Sequence, residues 1–408
     1  MSRAMIITVG TGIGAEKEAI RSLAHGIVAS IRNSNPDYIV FFVTEESRKD
    51  TIPEIKEQYP KLPANELVLI KDMNDVNNIY GEIKDKIRDL KSRGYDVVID
   101  FTSGTKAMSA SAVLAATSEA VMLSYVAGKR IGGKVIKGEE QVLSYSPVKG
   151  IVDFQEKLLK ELFTAYQYES CLDIIGRIEE ITSDPAVAAK LSKYKQLAEG
   201  YSFWDKFEHK KALEVLRTFD NSLVNIEENK RFLFSMEKRE YKDYRLLICD
   251  LLNNARRRME EGKYDDSVAR LYRITELIAQ SVLRTKYEIN SSDVDVWQLI
   301  TLGKMEKKTI DKYEKLRDEE GMIKLPLKKD FELLHDLGEE VGKKFLEDNS
   351  MRDMLAKRNN SILAHGLVPV KKEDVERMFG TVKEYVEQVI EDAESVMQKA
   401  EFPKLYAL

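Results

Sequence analysis

A chain of 408 residues is longer than one hydrophobic core usually serves, so two or three domains are expected. Apolar residues make up 43% and charged residues 33%, with a net charge of −5. This describes a globular protein with charge-rich helix surfaces and excludes a sequence-independent DNA coat, which needs a basic stripe.

The first 150 residues alternate strand and helix signals. Met5–Val9, Tyr38–Val43, Leu67–Ile70, Val97–Ile99 and Val121–Val126 are short apolar runs, most of them separated by amphipathic helical stretches. That alternation predicts an α/β domain, Rossmann-like, with a parallel sheet covered on both faces. Beyond Val126, the stretch Ala127–Lys134 followed by Val135-Ile136 and Gln141–Tyr145 predicts an added β-hairpin, with Lys129 and Arg130 as a solvated charge pair.

From about Val152 strand signals vanish and helical periodicity continues to the end, predicting an all-α second half. Residues 165–219 have the texture of paired helices, without a repeat of fixed period. Asn290–Asp293 and Asp348–Ser350 read as loops carrying helix caps. Composition and texture together suggest two halves, 1–150 and the helical remainder.

Cys171 and Cys249 are too few for a disulfide framework and read as buried thiols of a reducing compartment. No apolar run approaches the roughly 20 residues of a membrane span. The N-terminus lacks the basic flank and cleavage site of a signal peptide, so no membrane association and a cytoplasmic location are expected. There is no HExxH and no Cys/His cluster, hence no expected metal site.

Two loops of the first half carry chemistry. Val9-Gly10-Thr11-Gly12-Ile13-Gly14 follows the first strand and opens a helix, where glycines let backbone N–H groups approach a phosphate. Alanine at position 15, with Glu45 ending the second strand, also leaves a dinucleotide (NAD-type) reading open. A tight turn with no ligand is the plain alternative. The second loop, Asp100-Phe-Thr-Ser-Gly-Thr-Lys106, gathers the hydroxyls of Thr102, Ser103 and Thr105, flexible Gly104 and the ammonium of Lys106 at a helix start. Such a set makes an anion cradle, although the hydroxyls could equally serve as helix caps. Both loops follow strands and lie at the carboxyl edge of the sheet, where open α/β sheets bind ligands. Asn74, Asn77 and Asn78 follow the third strand and are placed to line the same edge.

In the second half, Arg358-Asn359-Asn360-Ser361-Ile362-Leu363-Ala364-His365 reads as helix. Seven residues are nearly two turns, so Arg358 and His365 are expected on one face, about 10 Å apart. An arginine and a histidine on one face suit chemistry on a phosphodiester. A capped helix end is the bland reading. Arg273 and Glu276 read as an intrahelical ion pair, or as a pair bracing the same site. Arg256–Arg258 reads as a solvated face, with RNA contact as the sharper alternative.

The pairing of these loops with Arg358-Asn359-…-His365, in this order, resembles the CARF–HEPN proteins, ancillary ribonucleases of type III CRISPR systems. The resemblance spans almost the whole chain. It implies a CARF domain over 1–150 that senses a cyclic oligoadenylate, tetra-adenylate favoured and hexa-adenylate possible. It implies a helical connector over 151–245 and a HEPN nuclease domain over 246–408. The resemblance assigns Gly10, Thr11, Gly12, Thr102, Ser103, Gly104, Thr105 and Lys106 to the activator, with Asn74 and Asn77 at its edge. It assigns Arg358, Asn359 and His365 to metal-independent cleavage of single-stranded RNA through the 2′-hydroxyl. Relatives often carry glycine where Ser103 stands, which leaves the ring size open. A homodimer with composite sites is implied, since one chain supplies one His and one Arg. Degradation of the activator by the first half is compatible with Thr11, Ser103 and Lys106, although no general base is visible there. A sensor with an inactive HEPN half, binding only a partner or RNA, is the rival reading.

Overall fold

The computed structural model describes all residues except 1, 12–16, 129, 132–133, 136–138, 183, 241, 302–305, 365 and 407–408. Two compact units emerge: residues 1–157 with 177–188, and residues 158–176 with 189–408.

The first unit runs β1 (Arg3–Val9), α1 (Lys17–Ser34), β2 (Tyr38–Val43), α2 (Glu45–Gln58), β3 (Ala64–Leu69), α3 (Val76–Ser92), β4 (Asp96–Asp100), α4 (Lys106–Ser118), β5 (Met122–Ala127), β6 (Arg130–Ile131), β7 (Lys134–Val135) and β8 (Gln141–Tyr145). The main sheet has the order β3-β2-β1-β4-β5-β8, parallel except for β8. Two-fold alternation along β1 sends Ala4 and Ile6 to one face and Met5, Ile7 and Val9 to the other. The first group packs under α3 and α4, the second under α1 and α2. On α3 the helical spacing of Ile79, Ile83, Ile87 and Leu90 makes one wholly buried stripe. Each such burial contributes roughly 2 kcal/mol. Asp75 caps this helix by accepting from the Asn78 N–H at 3.0 Å.

The predicted parallel sheet and the adjacency of strands one and four are therefore present. The added hairpin is paired differently. Gln141–Tyr145 returns antiparallel to β5, with Leu123 opposite Tyr145, while Arg130 pairs with Val135 in a separate two-stranded ribbon. An unpaired β5 edge offers a full ladder of hydrogen bonds, which a two-residue partner cannot. Ile136 and Lys129 lie outside the described residues.

Beyond Tyr145 the described residues form helices and no strand: α5 (Val148–Thr164), α6 (Tyr168–Ile181), α7 (Pro185–Asp205), α8 (His209–Leu216), α9 (Glu227–Lys238), α10 (Tyr244–Glu260), α11 (Tyr264–Tyr287), α12 (Val296–Thr301), α13 (Lys307–Glu314), α14 (Leu327–Asp336), α15 (Glu340–Glu347), α16 (Asn349–Asn360), α17 (Lys372–Val389) and α18 (Ala393–Lys399). Within the second unit α11 is the central rod. Its buried Val268, Leu271, Ile274, Thr275, Ile278 and Val282 recur at three- and four-residue steps. Helices α10, α14, α16 and α17 pack on it. Asp348 caps α16 as expected, accepting from the Ser350 and Met351 N–H groups. Among the described residues no helix is long and apolar enough to cross a membrane.

Candidate functional sites

At the carboxyl edge of the sheet, three loops are stitched together by hydroxyls. The Gly10 N–H donates to Ser103 Oγ at 2.9 Å, and the Thr8 hydroxyl donates to the Ser103 carbonyl. Thr51 Oγ1 donates to the Gly10 carbonyl at 2.8 Å. A β-carbon on Gly10 would lie 3.1 Å from the Gly104 backbone, so the first loop touches the second only because residue 10 has no side chain. Gly104 itself sits at φ +101°, a conformation that favours glycine. Thr105 caps α4, accepting from the Met108 N–H at 3.2 Å, and donates to the Met73 carbonyl of the β3–α3 loop at 3.2 Å. Thr102 Oγ1 accepts the Val126 N–H at 2.8 Å.

The predicted cradle residues Gly10, Ser103, Gly104 and Thr105 thus come together. The oxygens of Thr102, Ser103 and Thr105 are engaged by the protein itself, and the alternative of hydroxyls acting as caps holds for Thr105. Lys106 is the first residue of α4 and is exposed. Thr11 is half-buried beside Gly10, and Asn74 and Asn77 stand exposed on the β3–α3 side. Gly12, with Ile13 and Gly14, lies outside the described residues.

Beneath this edge sits a buried acid that sequence reasoning left without a role. Asp100 is fully buried, accepting from Ser30 Oγ at 2.5 Å and from the Thr102 N–H at 3.0 Å. Burial raises its pKa, opposed by these hydrogen bonds. Ser30 also lies 3.0 Å from Ser124 Oγ. The signal available was Asp100 itself, a charged residue closing an apolar strand.

The second constellation lies in the helical unit. Arg358 is in the last turn of α16, half-buried, its guanidinium carbon 4.3 Å from the centre of the Tyr272 ring on α11. Its Nη1 donates to Asn359 Oδ1 at 3.1 Å. The expectation that Arg358 and His365 share one helical face fails. Helix α16 ends at Asn360, because Ser361 turns extended and both its N–H and its hydroxyl take the Arg358 carbonyl, at 3.1 and 2.8 Å. Consecutive Asn and Ser residues compete for backbone groups in this way. The chain then doubles back: Ala364 and Gly366 donate to the Ser361 carbonyl, and Val368 donates to that of Asn360. His365 lies outside the described residues. Ile362, Leu363, Leu367 and Val368 around it are exposed, Leu367 by 85%.

Several other side chains have defined partners. Arg273 and Glu276 form the intrahelical pair at 2.9 Å. Arg256–Arg258 is not a solvated face. Arg257 is buried, 2.9 Å from Asp205 and stacked over Phe402, and Arg258 pairs with Asp205 and Glu261. A carboxylate from α7 makes that burial affordable. Cys171 and Cys249 are buried thiols, each pushed up to about 12 by desolvation. His209 is buried against Asp250 at 2.7 Å. No cluster of metal-ligating side chains occurs among the described residues.

Comparison with known proteins bears on the family and the fold. Residues 236–389 match the family described as the Csm6 HEPN domain, and residues 153–247 match the Csm6 6H domain. The structure of Enterococcus italicus Csm6 bound to cyclic hexa-2′-fluoro-hexa-dAMP superposes with a TM-score of 0.62 at 14% identity, covering 98% of this chain and 99% of that one. A type III CRISPR defence DNA nuclease activated by cyclic oligoadenylate aligns over 52% of this chain and 35% of its own, at 11% identity. Its TM-score of 0.27 carries no argument. No protein of curated function matches the chain in sequence.

Proposed function

The chain belongs to the Csm6-like CARF–HEPN proteins of CRISPR systems, and on that premise we propose that it is an endoribonuclease switched on by a cyclic oligoadenylate. In this reading residues 1–150 sense the activator, 151–245 connect, and 246–408 cleave single-stranded RNA. The observation that carries it is that positions 358, 359 and 365 fall inside the HEPN-matching segment, with Arg358 in the last turn of α16.

The chemistry needs no metal. The RNA 2′-oxygen attacks phosphorus, a 2′-O–P bond forms and the P–5′-O bond breaks. One proton leaves the 2′-hydroxyl and one reaches the departing 5′-oxygen, giving a 2′,3′-cyclic phosphate and a 5′-hydroxyl. His365 exchanges one of these protons, a task suited to an imidazole. Arg358 stabilises the charge growing on the phosphoryl oxygens. Asn359, whose amide oxygen accepts from Arg358, orients it.

Acid and base on opposite sides of a phosphate call for two histidines, hence two chains across a two-fold axis. The exposed apolar residues Ile362, Leu363, Leu367 and Val368 bracket His365 and support an isologous contact at that point. A repeating cyclic ligand likewise suits a symmetric cleft, lined by Gly10, Thr11, Gly12, Ser103, Gly104, Thr105 and Lys106 with Thr102, Asn74 and Asn77 behind or beside it. The activator acts by favouring one dimer arrangement over another. Cyclic tetra-adenylate and hexa-adenylate are the two activators to compare. The test is RNA cleavage with and without each, in wild type and His365→Ala. Activator binding without cleavage would favour a sensor with an inactive HEPN half.

A further inference from the structure

The arginines of the helical unit divide into two kinds. Arg257 and Arg258 share Asp205, and Arg273 pairs with Glu276. A carboxylate occupies the N–H edge of each and cancels its charge. Arg217, Arg284 and Arg352 pair with no carboxylate among the described residues, and neither does Arg358. Arg358 is held by the face of the Tyr272 ring, 4.3 Å away, and by the Asn359 amide.

The distinction matters for phosphate chemistry. A carboxylate partner competes with phosphate for the same fork of in-plane N–H donors. An aromatic face attracts the flat side of the guanidinium and leaves the edge free. Glu276, one turn along α11 from Tyr272, takes Arg273 at 2.9 Å. The ring stands on α11, and Arg358 rests on it from the last turn of α16.

We propose that Tyr272 is a positioning residue of the cleavage site: its ring face holds the Arg358 guanidinium so that the N–H edge stays open to the scissile phosphate. This rests on the ribonuclease reading above for its catalytic consequence, and on geometry alone for the contact.

Two readouts test it on the full-length protein. The first is activator-dependent RNA cleavage. Tyr272→Leu keeps apolar bulk and removes the π face, so kcat falls about tenfold, the scale of a partly desolvated cation–π contact, while KM stays within about twofold. Tyr272→Phe keeps the face and retains kcat within about threefold. In an Arg358→Ala background Tyr272→Leu has no further effect, because the two act as one unit. The second readout needs no RNA. The Arg358 Nε–H resonance, assigned by its loss in Arg358→Lys, is displaced by the ring in wild type and Tyr272→Phe and returns to the free-arginine position in Tyr272→Leu. Should the leucine variant fail to fold, Tyr272→Met takes its place. Equal kcat for the leucine and phenylalanine variants, additivity with Arg358→Ala, or an Arg358 resonance that ignores the ring would each overturn the proposal. A wild type that cleaves no RNA with either activator would sink the ribonuclease reading, and the resonance would still decide the contact.

Discussion

Gly366 offers a sharp test of the turn within the proposed catalytic motif. A β-carbon built there would lie 2.0 Å from the Asn360 carbonyl oxygen and 2.6 Å from the Asn360 α-carbon. Both are backbone atoms, so no side chain can swing aside. Ordinary contact begins near 3.4 Å, so Gly366→Ala must push the two backbones apart by about 1 Å or more. That separation breaks the bonds pinning the turn, Gly366 to Ser361 and Val368 to Asn360, each 3.2 Å. Asn359 precedes one of the displaced residues and His365 precedes the other, so the motif opens at its middle. A misplacement of about 1 Å costs about 100-fold in rate. Because the turn is largely exposed, stability falls by only about 1 kcal/mol. The control is Gly380→Ala on α17, where the new methyl meets nothing within 4 Å; it adds about 0.5–1 kcal/mol of stability and keeps activity. The assay is activator-dependent cleavage of labelled RNA, alongside thermal unfolding of all three proteins. Cleavage by Gly366→Ala within threefold of wild type would refute the reasoning.

Three further outcomes follow from the same structure. Burial pushes the Asp330 carboxyl up to about 7, opposed by Ser291 and reinforced by Glu276. Its folded pKa lies above its unfolded one, so the native state holds a proton the unfolded chain releases, and stability falls as pH rises from about 4 to 7. At about 1.4 kcal/mol per unit the loss is a few kcal/mol, and Asp330→Asn should abolish it; equal pH slopes in denaturant unfolding at pH 5 and 8 would contradict this. Ser103→Ala removes the acceptor of the Gly10 N–H and should weaken activator binding by about fivefold to tenfold, with cleavage at saturating activator unchanged; calorimetric titration reads the first and initial rates the second. Replacing Leu367 with Asp should lower activity at low protein concentration and restore it as concentration rises, with sedimentation showing a weakened dimer; concentration-independent loss would argue against a composite site.

Much of the fold was legible in the chain. Alternating apolar runs in the first half give a covered parallel sheet almost unaided, because the central strands β1, β2 and β4 are apolar on both faces. The β5–β8 pairing was not, because a choice between partners depends on which edge is free after the sheet has formed. The helix break at Asn360 was signalled by Asn-Asn-Ser but masked by the aliphatic residues that follow; only the Ser361 bonds and the close approach of Gly366 decide it. Arg257 and Arg258 looked solvated, since nothing nearby in sequence announces Asp205 as their partner. That the Ser103 hydroxyl accepts the Gly10 N–H was not legible, because the two residues are far apart in the chain. Tyr272 was invisible for the same reason: it meets Arg358 from a distant helix, and no spacing rule connects them.

The central claim is that a cyclic oligoadenylate turns on metal-independent RNA cleavage at His365. The most direct measurement is the rate of cleavage of a labelled single-stranded RNA in EDTA, with and without cyclic tetra- or hexa-adenylate, for wild type and His365→Ala. The account predicts cleavage that requires one of the two activators, persists in EDTA, leaves 2′,3′-cyclic phosphate ends and disappears in the variant. Cleavage that survives His365→Ala, or a wild type that binds NAD and neither oligoadenylate, would contradict it.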